Sequence, residues 1–244
     1  TDASNVEIGG NVDINGIYSQ PNSGNTTITG ANTEWDSIGG NYYYDEGPPT
    51  KTPTFILNTT GTSNFKVNTD ESFYNLRHQG TGNIVLDTST ADGGININGV
   101  FTKDALSGDF GDGVGDNHSI YLNNTGATTT PFVFTGGTVS FNRLMFKGNT
   151  ANTVIPAGTY ATGDVTIEPS ADTTFVLGGN VTFDQGGAGN CELKVFGGVN
   201  NIRATLNTTA ANFSIDCDAL ELGYAGGAGV ADDYWGTLKC NNST

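Results

Sequence analysis

The 244 residues carry 25 acidic and 9 basic side chains, for a formal charge of −16, and include 36 glycines. So acidic a surface repels phosphate backbones and lacks the basic clusters that hold anionic lipids, which argues against nucleic acid and anionic membrane surfaces as partners. No apolar run approaches the ~18 residues that a membrane-spanning helix needs, while an apolar content of 35% is enough for a narrow core.

The chain opens TDASNVEIGG, without Met, as a mature protein reads after its leader is removed. Short segments with an apolar residue at every second position then recur. They are NVEI 5–8, NVDI 11–14, NFKV 64–67, NIVL 83–86, ININ 95–98 and SIYL 119–122, followed by TVSF 138–141, DVTI 164–167, NVTF 180–183, ELKV 192–195 and NFSI 212–215. A period of two is that of a strand with one buried face, and helical spacing is sustained nowhere. Gly, Asn, Asp and Thr, all turn formers, separate the segments. Gly-Gly introduces four of the phrases: GGNVDI 9–14, GGININ 93–98, GGTVSF 136–141 and GGNVTF 178–183. The glycine pairs precede strands instead of bridging them, and the Asn-Gly of a tight hairpin is confined to 15–16 and 98–99. These features predict one all-β domain over 1–244, a single-stranded right-handed parallel β-helix with projecting loops. A β-sandwich or jelly roll is the alternative.

Two intervals break the rhythm, GNYYYDEGPPTKTP at 40–53 and ALSGDFGDGVGDNH at 105–118. Both read as loop insertions on a rigid scaffold, where binding usually sits. Trp35, Tyr42, Tyr43 and Tyr44 cluster around the first, and Tyr234 with Trp235 forms a second aromatic group. Exposed, such rings would stack on sugars or anchor a partner; otherwise they cover the ends of the coil stack. The second interval sets Asp109, Asp112 and Asp116 among glycines. Calcium is the candidate ion for such carboxylates, although the spacing is not that of an EF-hand, and a solvated acidic turn is the plainer reading.

N-glycosylation sequons fall at Asn25, Asn58, Asn117, Asn123, Asn180, Asn207, Asn212, Asn241 and Asn242. Asn25, Asn58, Asn117, Asn123, Asn207 and Asn212 are the expected acceptors, whereas Asn180 lies inside a core phrase. Cys191, Cys217 and Cys240 are 26 and 23 residues apart, near the length of one coil. That spacing suits either one disulfide between stacked coils or a ladder of buried thiols. It does not suit zinc, and His78 and His118 are the only histidines.

The stretches SFYNLRHQGTGNIVLD…GGININGVF at 72–101 and SFNRLMF…GGNVTF at 140–183 resemble the repeats of secreted right-handed parallel β-helix proteins. In that group a phrase F-x-N-L precedes an apolar strand and then a G-[DN]-V-x-I strand. Phe73, Asn75 and Leu76 match it, as do Phe141, Arg143 and Leu144 with Arg in place of Asn. The resemblance implies a surface adhesin, a sheath or surface-layer protein, or a virion fibre. The same fold carries polysaccharide lyases and hydrolases, so it does not fix function. Of the pectin-hydrolysing elements, NTD at 68–70 and DD at 232–233 are present but far apart. Gly-His-Gly and Arg-Ile-Lys are missing, and Arg77, Arg143 and Arg203 have no acidic motif beside them. Neither terminus reads as an amphipathic cap helix, so subunits should associate, or further chain should cover an end. The expectation is therefore a non-enzymatic, extracellular or cell-surface structural protein that self-associates and carries N-glycans. A virion tail fibre or capsid decoration is the nearest alternative, and a polysaccharide-binding or polysaccharide-cleaving β-helix protein is the other.

Overall fold

Strands that alternate apolar and polar residues, broken every few residues by turn formers, stack here as successive coils of a parallel β-solenoid. The structure is a computed structural model that describes residues 5–20, 24–44, 52–90, 93–104, 107–112, 118–123, 129–134, 138–148, 153–183, 192–198, 202–209, 213–225 and 233–239; no helix occurs among them. The expected parallel β-helix is thus the observed class, and the sandwich is not. One face stacks Val6–Gly9, Asn25–Ala31, Thr54–Thr60, Asn75–His78, Phe101–Lys103 and Phe132–Phe134 in chain order. A second stacks Val12–Asp13, Glu34–Asp36, Thr62–Val67, Asn83–Thr88 and Phe110–Asp112. The third runs through Glu71–Phe73, Gly94–Ile97 and Ser119–Leu122 into Thr138–Phe146 and Gly158–Ile167, and on to Glu192–Val195 and Ala219–Leu222.

Later coils continue the stack through Thr153–Ile155, Thr173–Leu177, Arg203–Asn207 and Asp233–Lys239. Among the described residues the one antiparallel pairing is Tyr224–Ala225 against Asp233–Lys239. Thr138–Phe146 and Gly158–Ile167 turn a corner without ending. They pair from Thr138↔Thr159 to Phe141↔Thr162, skip one position, and resume from Arg143↔Asp164 to Phe146↔Ile167.

In-register stacking places like side chains above one another, ~4.8 Å apart per coil. Phe55, Leu76, Phe101 and Phe132 form one inward column. Phe73, Ile97, Leu122, Phe146, Ile167 and Val195 form another. A slip of one residue would turn either column out to solvent, so the alternation fixes the register.

Gly10 and Gly179, from two of the Gly-Gly phrases, are required for different reasons. Gly10 has φ of 107°, which favours glycine. At Gly179 the need is room, because a Cβ there would sit 2.5 Å from the Cβ of Ala157. The F-x-N-L phrase is not a single structural repeat. Phe73 ends a third-face strand and Asn75 opens a first-face one, whereas Phe141, Arg143 and Leu144 lie within one strand. The two intervals read as loops also need correction. Asn41–Tyr44 is a strand paired with Ile17–Gln20, and Phe110–Asp112 is a strand paired with Asn83–Thr88. The rest of 40–53 and 105–118 falls largely outside the described residues.

Candidate functional site

The aromatic residues expected to offer a binding surface do not do so where they are described. Trp35 is 1% and Tyr42 6% exposed. Trp35 lies edge-on to Phe55 at 4.8 Å between ring centres, and Tyr42 stacks on Phe73 at 4.7 Å. Their burial follows from parity, since Glu34-Trp35-Asp36 is a strand whose middle residue points inward. The side chains of Tyr43, Tyr44, Tyr234 and Trp235 lie outside the described ones, although their backbones belong to strands.

Of the acidic trio, Asp109 is exposed and its backbone N–H donates to Asn83 Oδ1 at 3.0 Å. Asp112 ends the strand that pairs with Asn83–Thr88, and Asp116 lies outside the described residues. Among the described residues no three His, Cys, Asp or Glu side chains are placed to hold a metal ion. Cys217 is a free, half-buried thiol, while Cys191 and Cys240 lie outside the described residues. Burial, then Asp216 and Asp218, push the Cys217 thiol up from its ordinary value. Less thiolate at neutral pH means slower alkylation. With Cys191 and Cys240 replaced by serine, Cys217 should react with iodoacetamide at pH 7.5 severalfold more slowly than after unfolding. Equal rates would contradict the geometry.

Among the described sequon asparagines, the side chains of Asn123, Asn180 and Asn207 are engaged by the scaffold. Asn123 donates from Nδ2 to Asn96 Oδ1 at 2.9 Å and to Asn98 Oδ1 at 3.1 Å. Asn207 Oδ1 accepts from the Thr209 N–H and hydroxyl. Asn25 and Asn58 are half-buried within first-face strands, and Asn180 is exposed at a corner. Asn117, Asn212, Asn241 and Asn242 lie outside the described residues.

A recurring corner device employs six of the asparagines. Asn5 Oδ1 accepts from Asn25 N–H, Asn11 from Glu34, Asn32 from Thr62, Asn75 from Val100, Asn83 from Asp109 and Asn180 from Ser214. In each case the acceptor belongs to the earlier coil and the donor to the later one. Side-chain oxygens thus carry the axial hydrogen-bond ladder around corners where the strand itself stops. Asn32 reaches this position in the left-handed region, with φ of 53°.

Four acidic or basic side chains outside the candidate site residues are buried, Glu71, His78, Lys103 and His118. Glu71 is 8% exposed and binds Ser37, Tyr42 and Asn68. His78 is 0% and Lys103 2% exposed, neighbours in register on the first face. Lys103 Nζ donates to the carbonyl and hydroxyl of Ser107 at 3.2 Å. On the outside, Arg77 grips Asp104 through Nε and a terminal nitrogen at 3.0 and 2.8 Å.

Among the described residues, the exposed large apolar side chains lie near the ends of the stack. Leu220 and Leu222 pair with the buried Leu193 and Val195, so they occupy inward positions, yet they are 42% and 45% exposed. Ile17, near the other end, is 78% exposed. Val6, Ile8, Val12 and Tyr18 of the first coil are half-buried, unlike their partners in the next coil. No described helix is long and apolar enough to cross a membrane. Comparison with protein-family models, with curated proteins and with solved structures returned no match.

Proposed function

We propose that this solenoid is a structural protein of the cell exterior whose copies associate through their terminal coils into a layer, sheath or filament. The observation that carries the reading is the pair Leu220 and Leu222, inward-facing leucines in a terminal coil that are nearly half exposed. A second copy's first coil, with Val6, Ile8, Val12 and Tyr18 at its inward positions, offers an apolar surface of the same alternation. Parallel edges need no hairpin to continue, so one coil stacks on the next as within the chain. A virion fibre or decoration would use the same contacts.

Charge sets the conditions. Glu7 and Asp13 are exposed on the first coil, and Asp216, Asp218 and Glu221 on the last. Like charges oppose stacking until salt screens them. Sedimentation and electron microscopy of the 244-residue chain should show association that grows with ionic strength. Leu220→Asp/Leu222→Asp should remain dispersed with an unchanged β-sheet spectrum. A wild-type chain that stays monomeric at high concentration and high salt would overturn the reading. The non-enzymatic part of the proposal is supported by Asn68, whose amide is taken up by the carbonyls of Ser37 and Gly40. Detectable cleavage of acidic polysaccharides would refute it.

A further inference from the structure

The interior corner between the first and second faces holds buried polar groups, among them His78 and Lys103. His78 Nε2 lies 2.9 Å from the carbonyl of Gly82. A carbonyl only accepts, so Nε2 carries the proton and Nδ1 is left with a bare lone pair. His78 Nδ1 has no hydrogen-bond partner, and neither does the buried Thr59 hydroxyl in the preceding coil. The Phe110 ring closes one side at 5.9 Å. The charged groups around the imidazole are Lys103, next to it in register, and Asp104 and Asp109 beyond it. Arg77 points outward and holds Asp104.

We propose that His78 is an acid-sensitive latch: protonating its second ring nitrogen, beside the Lys103 ammonium, parts the Phe101–Lys103 coil from the Asn75–His78 coil. The added N–H finds no acceptor, and two cations then share one buried corner. The bonds that yield are Asp104 N–H to the His78 carbonyl at 3.0 Å and Gly108 N–H to the Gly80 carbonyl at 3.3 Å. Both sit where the chain leaves the inward column. Burial first, and Lys103 after it, hold the imidazole down to about 4, against the opposing pull of the Gly82 carbonyl, Asp104 and Asp109. A group depressed in the closed state takes its proton more readily in the open one. The closed coil is therefore favoured at neutral pH and loses that advantage as pH falls from about 6.5 towards 4.

Hydrogen exchange at the Asp104 and Gly108 amides, corrected for the intrinsic pH dependence, tests the latch in the full chain. In the wild type it should accelerate at least ~10-fold between pH 7 and pH 4.5. In His78→Leu, which continues the Leu57 position of the coil below, it should change less than ~2-fold. An equal acid response in His78→Leu would assign the opening to carboxylates and overturn the proposal, as would protection in the wild type that acid leaves intact. Should His78→Leu fail to fold, the imidazole's own NMR titration decides. A midpoint near 4 that coincides with loss of amide protection supports the latch, and a midpoint near 6.5 with the amides still protected refutes it.

Discussion

Phe55→Ala is expected to lower the unfolding free energy by about 4 kcal/mol, the cost of truncating a large buried aromatic side chain. Phe55 is 0% exposed and is the ring that ties the N-terminal coils together. Its centre lies 4.8 Å from Trp35, 5.5 Å from Tyr42, 5.6 Å from Phe65 and 5.5 Å from Phe73. Several of these pairs are edge-on, the arrangement in which ring quadrupoles attract beyond the area they bury. Removing the ring leaves a void whose other walls are also rigid rings, so little of it collapses. For a chain of this length the loss corresponds to a fall in melting temperature of about 8–16 °C.

A solenoid adds a second, sharper expectation. Each coil touches only its neighbours, so the damage should spread along the axis only as far as coupling between coils carries it. Amides of Thr54–Thr60 and Thr62–Val67 should lose protection in Phe55→Ala, while those of Thr173–Leu177 and Arg203–Asn207 should keep it. Uniform loss along the chain would mean that the stack melts as one unit. Phe175→Ala, at a buried position in a later coil, should give the mirror-image pattern.

Parity explains most of what the sequence made legible. Alternation located the strands and their inward residues, and with them the solenoid. The same parity places Glu71 two residues before Phe73, His78 two after Leu76 and Lys103 two after Phe101, all inward. Those three escaped notice because charged side chains are normally assigned to the surface, and only the register reveals that their burial is shared between adjacent coils. Trp35 and Tyr42 were misplaced for a related reason. An aromatic cluster in a sequence masks the alternation of the strands it spans.

Coil pairing was much less accessible, because the coils differ in length. Phe55 stacks on Leu76, but Phe101 stacks on Phe132 across a longer connection. Insertions between faces change that spacing without altering the strands, so no fixed repeat length marks the register. The corner asparagines were visible as composition, yet their role depends on a partner N–H one coil away. The strands Asn41–Tyr44 and Phe110–Asp112 were hidden for the opposite reason. Both are short and sit beside glycine-rich and acidic stretches of sequence whose composition dominates the window.

Glu71→Ala should cost about 3 kcal/mol although it removes no apolar surface of consequence, because it strips the acceptor from several buried donors at once. Oε2 accepts from the Ser37 hydroxyl at 3.0 Å and the Asn68 N–H at 2.8 Å, and Oε1 from the Tyr42 N–H at 2.8 Å. Asn68 in turn donates to the Ser37 and Gly40 carbonyls, so one carboxylate secures the corner joining two coils. Glu71→Gln is not a rescue. Its amide NH2 would face either Tyr42 N–H or the Ser37 and Asn68 donors, so it too should be destabilised. Burial, the largest cause, raises the Glu71 carboxyl above its ordinary 4.5 despite these bonds. The folded state therefore holds the proton more tightly than the unfolded chain. The associated stability is present below about 4.5 and is lost as pH rises through the folded value. Urea denaturation of wild type and Glu71→Ala at pH 7.5 and pH 4.5 separates this from the opposite response of His78, which is common to both proteins. The deficit of the variant should widen at the lower pH. A deficit that narrows there would mean that the carboxylate, and not the acid, is the form the fold prefers.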